Sequence, residues 1–181
     1  LTSNLTREAL TQNEELVVEL TAAECGAMFQ HLAWAMWEGA EHELLEPGRL
    51  PPVSGPLGRV PRPVETGNVV ATAMQAGTLR SAVLARIQGA RKSIVVSSFG
   101  WGLGHEVLTA LAAKARAGVP VMVLARIRPA VMPALLMLAA AGARVYGYRL
   151  LHAKALLVDD REALVMTANL DSHGLDDGVE L

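Results

Sequence analysis

The sequence predicts an α/β fold with a largely parallel sheet. Three observations carry this. From residue 78 onward, short apolar runs alternate with longer helix-periodic segments, the pattern of strand–helix–strand units. The segment 103–117 runs straight into Gly118, a residue suited to ending a helix. A chain of 181 residues, 51% hydrophobic and 19% charged, has the apolar material for one good core and is not disordered.

Taken in order, residues 15–20 are expected as a strand. Residues 21–45 are expected as a long amphipathic helix, because Met28, Phe29, Leu32, Met36 and Ala40 recur at helical spacing. Trp34 and Trp37 add bulk there and read as core or interface anchors rather than base-stacking residues. Six of the nine prolines fall within residues 47–63, which denies that stretch regular structure and marks a linker. Helices follow at 78–90, 103–117 and 130–141. Strands are expected at 93–99, 119–125, 144–148, 155–158 and 163–166.

The composition excludes some classes. Net charge is −2, which is no basic signature for nucleic acid. The sixteen basic residues include only three lysines; arginine grips phosphate well, but GC-rich coding, with its heavy use of Ala, Gly and Val, explains the excess as simply. The apolar stretch 129–143 is interrupted by Pro133 and is too short to span a membrane. Cys25 is the single cysteine, so no internal disulfide can form, and it reads as a small apolar helix residue; a cytoplasmic setting is expected. His105 and His173 lack metal-ligand spacing with any Cys, Asp or Glu cluster. The glycine loop at 100–104 has no nucleotide-binding fingerprint. No metal and no cofactor are expected.

The chemistry concentrates near the end. His152 and Lys154 are two apart, so on an extended chain they share a face, and Asp159 follows five residues on. A nucleophile or proton donor beside a fixed cation suits attack on a phosphate ester. Then come Thr167, Ala168 and Asn169, and finally Glu180. In open α/β sheets ligands sit beyond the carboxyl ends of strands. That rule brings Ser97, Ser98, Trp101, Arg126 and Arg128 toward the same place. Trp101 could equally be a loop residue packed on the domain.

This spacing resembles the phospholipase D superfamily, whose H-x-K-x4-D motif is followed six residues later by G-S-x-N. His152, Lys154 and Asp159 match, and Met166-Thr167-Ala168-Asn169 stands where the family has G-S-x-N. Thr167 keeps the hydroxyl. Met166 replaces the glycine, and the departure is expected to narrow the phosphate pocket. The preceding segments at 90–98, 117–124 and 141–145 fit as well, so the resemblance covers about residues 78–181. It implies a phospholipase D-like sheet sandwiched by helices. It also implies a metal-free, two-step phosphodiesterase. One motif's histidine attacks phosphorus to form a phosphohistidine; the other's protonates the leaving oxygen and then activates water or an alcohol. By this resemblance Lys154 and Asn169 hold the nonbridging oxygens, Thr167 adds a hydrogen bond, and Glu180 accepts from the unreactive ring nitrogen of His152. Asp159 is assigned to bracing the strand and Lys154.

The chain carries a second copy of the motif's tail. Residues 1–16 align with 166–181 at an offset of 165, with six of sixteen positions identical, including Thr2 with Thr167, Asn4 with Asn169 and Glu15 with Glu180. A pseudo-twofold duplicated protein is expected, this chain covering the end of repeat one and most of repeat two. Residues 1–46 are then the C-terminal part of the first repeat, 47–77 the Pro/Gly-rich linker and 78–181 the second repeat. The first motif's His and Lys are expected about a dozen residues before Leu1, in a longer polypeptide. Asn4, Glu15 and Thr2 are expected on the substrate side of His152, with Ser97, Trp101 and Arg126.

The expected partners are nucleic acid, and either the missing first-motif segment of the same polypeptide or a second copy of the chain. A general likeness of layout to the phospholipase D-like component of DISARM anti-phage systems adds defence-system subunits. A nuclease is the leading reading, and the chain alone is expected to be inactive. A phospholipid hydrolase or phosphatidyltransferase is the second; a non-catalytic nucleic-acid-binding scaffold is the third, and the intact set of polar residues speaks against it.

Overall fold

Along Ile94–Ser98 (β1) the side chains of Ile94, Val96 and Ser98 are buried while those between are only half-buried, and this strand becomes the centre of a five-stranded sheet. The computed structural model describes residues 6–43, 46–49, 51–53, 68–71 and 77–180, with the side chains of residues 36–38 excepted. Before β1 come three helices, α1 (Arg7–Thr11), α2 (Ala22–Gly39) and α3 (Thr78–Gly89). After it come α4 (Glu106–Arg116), β2 (Val121–Ala125), α5 (Met132–Ala140), β3 (Arg144–Gly147), β4 (Ala155–Val158) and β5 (Glu162–Val165).

The sheet order is β3-β2-β1-β4-β5. β1, β2 and β3 are parallel, but β4 is antiparallel to β1 and β5 to β4, so the sheet is mixed rather than largely parallel. The reason lies in the connection. Residues 148–154 are too few for the crossover that a parallel strand requires. β4 must therefore start at the end where β3 stops, and the link carries His152 and Lys154 across the carboxyl ends of the parallel strands.

α3, α4 and α5 pack on one face. Leu79, Val83 and Ile87 repeat every four residues along α3 and are fully buried. Val107, Leu108 and Leu111 of α4 and Ala134, Leu135 and Leu138 of α5 complete that layer against Val96, Val123 and Leu156. Each large side chain removed from water there contributes about 1.5–3 kcal/mol. On the opposite face Met122, Tyr146 and Leu157 stay 38–50% exposed, so a second helical layer is not among the described residues. His105 caps α4 by accepting from the Val107 amide at 3.2 Å, and its Nε2 faces Asp176, which also binds Arg80. This ties α3 and α4 to the π-helical turn His173–Asp177.

The N-terminal part departs from expectation. Residues 15–20 form no strand, and Val17 is 68% exposed; no described strand lies alongside to supply a ladder. A five-residue helix, α1, capped by Thr6, precedes them. α2 starts as expected, on a reciprocal Thr21–Glu24 cap, but ends at Gly39. Its apolar stripe is only partly covered: Met28 is half-buried, but Phe29 is 70% and Leu32 44% exposed. Leu1, Thr2 and Asn4, and most of the linker 47–63, lie outside the described residues; around that linker the described pieces include the isolated bridges His42–Pro52 and Glu46–Arg49.

Candidate active site

Three strand ends converge at one rim of the sheet. β1 ends at Ser98, β4 begins at Ala155, and β5 ends at Val165, which pairs with Ala155. The Met166 amide continues the ladder by donating to the Lys154 carbonyl at 3.1 Å. Segments 152–154 and 166–169 therefore run side by side.

A fourth segment joins from far away. The Glu14 amide donates to the Leu150 carbonyl, and the amides of His152 and Ala153 both donate to the Glu14 carbonyl, at 2.9–3.0 Å. Pinned in this way, the next residue reaches the imidazole: Glu15 Oε1 lies 2.9 Å and Oε2 3.1 Å from His152 Nδ1. Both side chains are nearly buried, at 9% and 13% exposure. A carboxylate at Nδ1 favours the tautomer with its proton on Nδ1, which leaves the lone pair on Nε2.

Lys154 is 2% exposed. Its Nζ donates to the His152 carbonyl at 2.8 Å and stands 3.1 Å from both ring nitrogens. Burial pulls its pKa down, and the carboxylates of Glu15 and Glu180 oppose that by favouring the charged form. The carboxylate that reaches His152 Nδ1 is thus that of Glu15, whereas the sequence reading gave this place to Glu180. Glu180 instead accepts a hydrogen bond from the Thr167 hydroxyl and faces Lys154 electrostatically.

Asn169 is held between two glycines. Its Oδ1 accepts from the Gly100 amide at 3.1 Å, which leaves the side-chain NH2 as a donor for something else. A Cβ on Gly100 would stand 3.0 Å from the Asn169 Cβ, and one on Gly174 would stand 2.6 Å from the Asn169 amide nitrogen. A larger residue at Gly100 would press on this side chain, and one at Gly174 would displace the Asn169 backbone. Ser98 Oγ braces the same loop, donating to the Gly100 carbonyl and accepting from the Leu170 amide.

Several expected residues lie elsewhere. Asp159 sits at the other end of β4 from His152, in the hairpin turn, with φ 57°. It accepts the backbone amides of Arg91, Lys92 and Ser93 at 2.7–3.0 Å, so it braces the entry to β1 and does not touch Lys154. Those amide bonds, Ser93's above all, hold its pKa down. Trp101 does not line a groove. It is 4% exposed, and its Nε1 donates to the Ser98 carbonyl at 3.0 Å. Met166 is 2% exposed and packs in the core. Ser97 lies opposite Ala155 on the sheet face away from α3, α4 and α5.

Phe99 is the residue the sequence reading missed. Its ring meets the His152 ring edge-on at 5.3 Å between centroids. The Arg128 guanidinium lies 3.8 Å from the Phe99 centroid and that of Arg126 5.4 Å. The rule that pointed to Ser97 and Arg126, the carboxyl ends of β1 and β2, covers Phe99 as well. Among the described residues no three His, Cys, Asp or Glu side chains gather as a metal site, and no helix is long and apolar enough to cross a membrane.

The arrangement can place a nucleophilic imidazole nitrogen beside an ammonium and an amide donor. Residues 83–181, more than half of the chain, match the family model described as "Cardiolipin synthase, PLD-like domain". No curated protein matches the chain. Among solved structures, a phospholipase D family member, Nuc from Salmonella typhimurium, is similar at a TM-score of 0.55 and 21% identity, over 61% of this chain and 76% of that one. NucT from Helicobacter pylori gives 0.47 and 14%, over 56% and 72%. Phosphatidylserine synthase from Haemophilus influenzae Rd KW20 gives 0.47 and 16%, over 76% of this chain and 37% of that one.

Proposed function

The chain belongs to the family of phospholipase D-like domains, with their phosphodiesterase fold, and from that premise we propose that it is a nuclease acting through a phosphohistidine on His152. The observation that carries this reading is the buried contact between His152 Nδ1 and Glu15, which favours a lone pair on Nε2, where the Lys154 ammonium stands 3.1 Å away. The Nε2 lone pair forms an N–P bond as the P–O ester bond breaks. The leaving oxygen takes its proton from a second histidine. Water then attacks phosphorus, gives its proton to that second histidine, and the N–P bond breaks. Lys154 and the Asn169 amide donate to the nonbridging oxygens while charge builds. Thr167, hydrogen-bonded to Glu180, sits beside them at the rim.

The second histidine comes from the first-motif segment of the same polypeptide or from a second copy. Glu15 supports the former: it falls in the first repeat's register yet binds the second repeat's histidine. Asn4, Thr2 and Ser97 are assigned to the substrate side in the same scheme. Nucleic acid is favoured over phospholipid by the two arginines that meet at Phe99 next to His152.

The test is cleavage by the full-length protein, in EDTA, of single-stranded DNA, duplex DNA and phosphatidylcholine vesicles. DNA cleavage with an acid-labile phosphoryl adduct on His152 is expected. Turnover of the vesicles alone, or DNA cleavage that chelation abolishes and Mg²⁺ restores, would overturn the reading.

A further inference from the structure

Phe99 is in contact with the imidazole of His152 and with two arginines. His152 approaches at 5.3 Å and 61°, while the Arg128 guanidinium lies 3.8 Å and the Arg126 guanidinium 5.4 Å from the same ring centroid. Arg128 is further fixed by donating from Nη2 to the Phe99 carbonyl at 3.1 Å. Among the described residues neither arginine pairs with a carboxylate. The Arg128 Nε is shut off from solvent and has no acceptor. A buried donor without a partner is rare, and two cations on one ring repel each other until an anion joins them.

We propose that Arg126 and Arg128, set on Phe99, form a second phosphate subsite next to the reacting one, which binds the neighbouring phosphodiester of a polynucleotide. This rests on the nuclease reading and deepens it. A guanidinium presents paired donors that match two phosphate oxygens. Both guanidinium groups are only half-buried, so their outer N–H groups can meet such an oxygen. The reacting phosphate belongs to Lys154 and Asn169, so the arginines are left for a different one. The chemistry asks for a ligand with phosphates in series. A phosphatidylcholine headgroup carries one phosphate and its own cation, and leaves this subsite empty. Phe99 makes the two places interdependent, because it orients both the arginines and the His152 ring.

The test measures binding rather than turnover. Full-length protein carrying His152→Asn is titrated with a labelled oligothymidylate and with thymidylyl-thymidine, which has a single phosphodiester. The longer ligand is expected to bind more tightly, and Arg126→Gln should shrink that advantage about tenfold. The slope of log affinity against log salt for the oligothymidylate should fall by about 1 for the same substitution. Arg128→Lys, which keeps the charge and loses the fork, should shrink the advantage too. An unchanged ratio in both variants overturns the subsite while leaving the nuclease reading standing. Equal affinity of the unsubstituted arginine pair for the two ligands overturns the subsite as well. Arginine-dependent binding to phosphatidylglycerol vesicles in place of oligothymidylate overturns both.

Discussion

Glu15 Oε1 lies 2.9 Å from His152 Nδ1, across 137 residues of chain. The contact is not left to two flexible side chains. Three backbone hydrogen bonds clamp Glu14 onto residues 150–153, so the carboxylate is delivered from a fixed position. We expect Glu15→Gln to lower kcat by about 10²-fold or more, because an amide can present its NH2 to Nδ1 and force the proton onto Nε2. The check is the pH profile of kcat alongside its magnitude. A loss confined to KM would assign Glu15 to substrate binding instead.

His152→Ala should abolish turnover while the fold persists, since the ring is at the rim of the sheet and not in its core. Lys154→Ala and Asn169→Ala should each cost roughly 10²-fold or more in kcat, as each removes a donor aimed at developing charge. Circular dichroism of each variant separates lost chemistry from lost structure. Lys154→Ala is the more demanding case, because it also empties a buried position. Activity of the His152→Ala protein within about tenfold of wild type would remove His152 from the mechanism.

The second half of the chain was largely legible because its signals are local. The alternation of Ile94, Val96 and Ser98, the four-residue repeat of Leu79, Val83 and Ile87, and Gly118 after α4 each report an element without help from the rest. Strand direction was not legible: it depends on the length of the link 148–154, which a strand-and-helix pattern does not weigh. The first half misled because strand 15–20 and the stripe of α2 are defined by partners, and those partners are not among the described elements. At the site, spacing points to His152, Lys154 and Asn169, and the fold brings their segments side by side. Spacing could not tell which of two glutamates in equivalent registers reaches the imidazole, since that depends on the clamp at Glu14. Asp159 matched the motif, yet its role is set by turn geometry at the far end of β4.

Asp159 accepts amides from three consecutive residues before β1, and those bonds favour its ionised form. A carboxyl whose folded pKa is depressed contributes stability that is present above its unfolded pKa and is lost as pH falls through the folded value. Asp159→Asn should therefore lower the melting temperature at neutral pH, and the gap to wild type should close in acid. Asparagine tolerates the left-handed backbone of this turn, so the comparison reads the charge rather than strain. A gap that stays constant down to the acid limit would mean that the amides do not depend on the charge.

Lys154 should set the alkaline limb of activity. Burial depresses its pKa, while Glu15 and then Glu180 push it back up. The sign follows from linkage. The folded state gives up this proton at a lower pH than the unfolded chain does. The burial penalty is therefore fully present while the ammonium is charged, and it is relieved as pH rises through the folded pKa. Function runs the other way, because only the ammonium stabilises charge on phosphate. Activity should thus fall at a pH below the ordinary lysine range even as the protein becomes no less stable. Glu180→Gln removes one of the two carboxylates that hold the proton on Lys154, so it should move that limb to lower pH. Glu15→Gln should move it in the same direction, beyond its larger effect through His152. The measurement is kcat against pH for wild type and Glu180→Gln, with thermal melts at each pH. A limb that stays put in Glu180→Gln, or moves upward, would mean that another group controls it. A limb that tracks the loss of structure would mean that unfolding, not deprotonation, ends activity.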